Sequence, residues 1–140
     1  MNRRTLNIAL HWTCFMLLLA MIKGGASHPA VRWVFVGAGG TWVGLAIIRG
    51  VMAKPGPKLQ GLLRTAFTPL HWGMYGLVAA AVVLNALALL GVVAQDLAWT
   101  SLLVLLVASI FLAILHLWRH TTLNDGALRM IFPKAWHKHL

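Results

Sequence analysis

Histidine inside a long apolar run has the most chemistry to offer in this chain. His116 and His120 close the last such run, four residues apart and so on one helix face. His11 stands seven residues past Arg4, His71 seven past Arg64, and His116 three before Arg119. At 1.5 Å per helical residue, His11 lies roughly 10 Å inside the boundary that the arginines mark, and His71 at a similar or shallower depth. Three apolar runs therefore offer imidazoles in one layer, with His120 at its edge. His28 falls in a connector on the opposite side.

Imidazole within a membrane bundle can ligate a metal or haem iron, relay protons or hydrogen-bond between helices. Proton relays and ion sites recruit carboxylates, and the apolar runs contain no Asp or Glu. A bis-histidine haem asks for less: one imidazole on each side of a flat ring, small residues that make room, and cations for the propionates. Arg4, Arg64 and Arg119, with Arg3, stand at the same boundary as the histidine layer. His116 and His120 cannot ligate opposite faces of one iron, because they share a face of one helix. Depth favours His11 with His116 as the axial pair, with His120 and His71 as alternates. Met74 and Met16 are rarer substitutes as ligands.

The elements that must position these side chains follow from composition. A soluble domain carries about 25% charged residues, whereas this chain has 10%, with 60% hydrophobic residues and a mean hydropathy of +0.80. The expectation is an all-α, integral-membrane four-helix bundle forming one domain over 1–140. Its spans fall at about 5–22, 33–52, 69–90 and 97–118, and 119–140 forms a tail. Each run approaches the ~20 residues that cross a hydrocarbon core. Thr68-Pro69 reads as an N-cap and first-turn proline, and Asp96 as the N-cap of the fourth helix. Of the 12 Lys and Arg residues, ten flank one side and only Lys23 and Arg32 the other. By the positive-inside rule both termini are cytoplasmic. Because the basic residues flank apolar runs, the net charge of +10 speaks for membrane orientation and against nucleic acid.

Trp33 and Trp99 mark one interface and Trp118 the other. Gly37, Gly39, Gly40 and Gly44 on the second helix suit close helix packing, including a Gly-x-x-x-Gly step, or room for a flat cofactor. The residues from Asn124 onward, among them Phe132, Lys134, Trp136 and Lys138, read as a basic segment on the inner leaflet or a solvated tail. Cys14, the single cysteine, excludes an intrachain disulfide and a Cys-x-x-Cys-His haem attachment. A short repeat matches Leu10-His11-Trp12-Thr-Cys-Phe15 to Leu70-His71-Trp72-Gly-Met-Tyr75.

Leu10-His11-Trp12, Arg49 with Lys54-Pro-Gly-Pro57, His71 with Tyr75, Leu115-His116 and Asp125-Gly-Ala-Leu-Arg-Met130 occur in that order. In these features the chain resembles the bacterial membrane cytochromes b561 and the related b-type subunits of hydrogenases and formate dehydrogenases. The resemblance implies a four-helix bundle in the bacterial inner membrane that usually holds two haems b. The inner haem joins helix one to helix four, and the outer joins helix two to an outer histidine of helix four. Here Trp33 to Gly37 and Trp99 to Ile110 contain no histidine, so both outer ligands are missing together. The expectation is one non-covalent haem b on the cytoplasmic side, exchanging single electrons with quinone or quinol or with a redox partner protein. Tyr75, Arg64 and Arg119 would line a quinone-accessible pocket. The rival expectation is a haem-free accessory subunit of a larger membrane complex.

Overall fold

The computed structural model describes residues 2–132, the side chain of Met130 excepted. It consists of α1 (Arg3–Ile22), a 3-10 turn (Gly25–Ser27), α2 (Pro29–Arg49), α3 (Gly61–Leu89), α4 (Gln95–Thr122) and a second 3-10 turn (Ala127–Met130). All four α-helices are long and apolar enough to cross a membrane. Their outward faces are apolar too: Ile48 is 80% exposed, Val107 68% and Phe111 60%. Such a surface would be a liability in water and is ordinary against lipid. This is a multi-pass membrane architecture.

α1 starts where Asn2 accepts a hydrogen bond from the Thr5 N–H at 2.9 Å. α2 ends at Arg49 because Gly50 turns to φ +74°, outside the helical region. α2 starts and α4 ends about one turn outside the expected spans, and two expected N-caps are not observed. α3 begins at Gly61, so Pro69 lies inside it and opens no helix. The missing N–H at residue 69 releases one carbonyl, a loss that membrane helices tolerate. Burial of Phe67, 1% exposed, favours carrying the helix through that point. At α4 the N-cap is Ala94, and Asp96 sits in the first turn, where its charge suits the helix dipole.

α1 packs on α2, α2 on α3 and α3 on α4, with a sparser contact closing α1 on α4 and still less between α1 and α3. α1 and α3, which carry the short repeat, therefore stand on a diagonal. The basic residues gather at one end, here called the arginine end. There Arg3 donates to the Arg49 carbonyl at 2.6 Å, Arg4 to that of Arg129 at 2.7 Å, and Arg64 to that of Gly56 at 3.2 Å.

The close-packed core occupies the other half, with Met21, Phe35, Ala81 and Leu102 among its fully buried members. Of the α2 glycines, only Gly39 is at a close approach: a Cβ there would lie 2.6 Å from Val82 Cγ2. Gly40 of the Gly-x-x-x-Gly pair would just reach Val82 at 4.0 Å, and Gly44 would meet nothing within 4 Å. Neither glycine of that step is held at a close approach within the chain. Residues 127–132 fold back onto α1, where Trp12 donates to the Ile131 carbonyl at 3.0 Å. Lys134, Trp136 and Lys138 lie outside the described residues, and with them the leaflet-bound or solvated reading of the tail.

Candidate functional site

Beneath the core, toward the arginine end, lies a cavity of about 230 Å³. His11 from α1, His71 from α3 and His116 from α4 all line it. The repeat explains part of this: residues 11, 14 and 15 of α1 and residues 71, 74 and 75 of α3 face it from opposite corners. Trp12 and Trp72 diverge, the first lining the cavity and the second 42% exposed. His120, one turn beyond His116, does not line the cavity.

His71 and His116 stand edge to face, ring centroids 5.3 Å apart at 72°. His71 Nδ1 is 2.8 Å from the Phe67 carbonyl. A carbonyl can only accept, so the proton is on Nδ1 and the Nε2 lone pair is left for another partner. His116 is 8% exposed, and its Nδ1 has no hydrogen-bond partner. A buried polar atom without a partner costs free energy and calls for an explanation such as a missing ligand. The same holds for His120 Nδ1, away from the cavity. His11 packs its ring edge-on against Trp12 and Trp42, at 5.8 and 5.3 Å.

Several residues of the site escaped the sequence reading. Phe67 sits 4.1 Å from His71 and 6.3 Å from His116, with Arg119 Cζ 4.7 Å from its ring centre. Trp42 donates to Asn7 at 2.9 Å and meets the Tyr75 ring at 5.2 Å. Asn7 had a signal, since it lies four residues before His11 on the same helix face. Phe67 and Trp42 had none beyond being aromatic.

The arginines distribute unevenly. Arg4 lines a second cavity next to the first. Arg64 turns to the Gly56 and Leu59 carbonyls. Arg119 is buried, donating to Asp125 Oδ2 through Nε at 2.9 Å and Nη2 at 2.6 Å. Neither Arg64 nor Arg119 lines either cavity.

At the far end a polar cluster that sequence reading passed over ties three helices. Arg32, 6% exposed, donates to Asn85 Oδ1 at 3.2 Å and to Gln95 Oε1 at 2.6 Å. Asn85 donates on to the Ala81 carbonyl, and Gln95 to that of Ala88.

Among the described residues, no three His, Cys, Asp or Glu side chains converge on a point that could hold a metal ion. A haem needs only two, and the cavity offers apolar and aromatic walls with imidazoles on three helices, but no arginine lines it and its volume of about 230 Å³ lies below the roughly 300–1,000 Å³ of ordinary ligand pockets. No protein-family model, curated protein or solved structure matches this chain.

Proposed function

We propose that this chain is a membrane b-type cytochrome carrying one haem b in the histidine cavity and exchanging single electrons with quinone or quinol or with a redox protein. The observation that carries the reading is that His11, His71 and His116, from three helices, line one apolar cavity.

His116 and His11 are the proposed axial ligands. Imidazoles on opposite faces of one iron need centroids roughly 6 Å apart, taking metal–nitrogen bonds of ~2 Å. His71 and His116, edge to face at 5.3 Å, would have to part by roughly 1 Å to hold one iron between them. His71 then flanks the ring edge, its orientation set by the Phe67 carbonyl, as outer groups tune a metal site without binding it. A bis-imidazole haem supplies a one-electron couple in a site of low polarity. The protein's part is to hold the imidazoles, exclude water with Trp12, Trp42 and Phe15, and set the polarity around them. The ten-to-two charge asymmetry supports a cytoplasmic position for this end.

The test is the protein purified from membranes in mild detergent. A six-coordinate low-spin spectrum with about one haem per chain is the expected result. A colourless protein from fresh membranes would overturn the reading in favour of the haem-free accessory subunit, and two haems per chain would overturn the single site.

A further inference from the structure

Residues 125–132 cross from the end of α4 to α1, on the side of the bundle where those two helices touch sparsely. At the α4 end Asp125 is held by Arg119 at 2.6 Å, and Ala127 is buried. At the α1 end the Arg129 carbonyl accepts from Arg4 at 2.7 Å and the Ile131 carbonyl from the Trp12 indole at 3.0 Å. The Phe132 ring lies 5.4 Å from that of Trp12. Ile131 is also a wall of the histidine cavity, together with His11 and Trp12 of α1 and Ala113 and His116 of α4. The segment thus closes the cavity where helix packing is thinnest.

At about 230 Å³ the closed cavity is smaller than an ordinary ligand pocket, so a ligand of that class enters only if a wall yields. The other three sides are closed by packed helix pairs. This one is closed by a strap whose regular structure is a single 3-10 turn, Ala127–Met130, and it can lift without unpacking a helix. Lids are drawn from segments of that kind, which open locally at a small fraction of the cost of unfolding. We propose that residues 125–132 are a gate on the histidine cavity. Anchored at Asp125 and released from Trp12, the strap opens the α1–α4 side and sets how fast an apolar ligand enters or leaves. The gate stands whatever the cavity holds; that its ligand is a haem rests on the function proposed above.

Cys14, the only cysteine, lines the cavity at 5% exposure and so reports its opening. The purified full chain in an uncharged detergent is treated with N-ethylmaleimide well below its unfolding temperature, and the adduct is followed by mass spectrometry. Trp12→Phe removes the indole donor, and Asp125→Asn weakens the anchor from outside the cavity. Each should label Cys14 at least about fivefold faster than the native chain, as local opening becomes easier. Asn85→Leu, which loosens the distant Arg32 cluster, should stay within about twofold, because lower stability alone does not lift the strap. Where the chain carries haem, transfer to excess apomyoglobin should quicken in the same two strap variants. A colourless chain with this labelling pattern keeps the gate and removes the haem reading. A red chain in which neither labelling nor transfer responds overturns the gate and leaves the haem reading intact. Labelling that responds while transfer does not overturns the gate as the ligand's route. Acceleration by Trp12→Phe alone would reflect only a smaller ring in the cavity wall, and by Asp125→Asn alone only a loosened end of α4; either overturns the gate. So does equal acceleration in Asn85→Leu, or a native chain that labels as fast as the strap variants.

Discussion

Arg119 and Asp125 form a buried ion pair, 2.6 Å apart with 1% and 0% of their side chains exposed. The chain has only two acidic residues, and this one pins the segment after α4 back against the bundle. Its second oxygen accepts the Ala127 N–H at 3.0 Å and so starts the last 3-10 turn. Taking one partner from a buried pair strands the other charge and costs about 3–5 kcal/mol. Asp125→Ala is therefore expected to destabilise the detergent-solubilised protein by about that amount. Arg119→Met combined with Asp125→Leu should recover most of the loss. Thermal unfolding of the two variants beside the native chain decides it, and equal loss in the single and double variants would contradict the pairing.

Gly56 belongs to the same clamp. A Cβ there would lie 2.6 Å from Asp125 Oδ2 and 2.9 Å from Arg119 Nη2. Gly56→Ala should thus lower stability by about 1–3 kcal/mol through overpacking. Gly39→Ala should do likewise against Val82, whereas Gly44→Ala, with open space around it, should be neutral or mildly stabilising. Melting temperatures of the three variants in one detergent give the comparison. An unaffected Gly56→Ala would mean that the loop yields.

Removing a haem ligand leaves an open iron position or no haem. His11→Ala and His116→Ala are each expected to abolish the low-spin spectrum. His71→Ala and His120→Ala should retain it with a small shift, since His71 stands beside His116 and His120 lies off the cavity. Absorption spectra at equal protein concentration are sufficient. Bleaching by His71→Ala with His11→Ala still red would move the second ligand to α3.

Arg32 carries a buried charge satisfied by two amides and no carboxylate. Asn85→Leu leaves its Nε donor without that acceptor and is expected to cost about 2–3 kcal/mol. Arg32→Leu in the same background should cost less than it does alone. A double-mutant cycle should therefore give a coupling above about 1 kcal/mol. Additive losses would show that the Arg32–Asn85 contact contributes nothing.

Orientation can be read by labelling. With Cys14 replaced, a cysteine at residue 96 should react with an impermeant reagent added outside intact cells, and one at residue 57 should not. Labelling confined to residue 57 would reverse the topology and move the histidine cavity to the outer side.

Hydropathy made four spans legible, because lipid burial is a local sum over about twenty residues and needs no knowledge of neighbours. The gathering of His11, His71 and His116 was legible for a similar reason: counting from the flanking arginines gives depth along a helix axis. Neither quantity says which way a side chain turns around its axis once helices pack. Packing separated His116 from His120, carried α3 through Pro69, and made Gly39 rather than the Gly40 and Gly44 step the point of contact. It also assigned the charges, pairing Arg119 with Asp125, sinking Arg32 onto Asn85 and Gln95, and setting Arg4 on the Arg129 carbonyl. Residues 4 and 129 share no local signal, and only the closed bundle, with its end folded back on α1, brings them together.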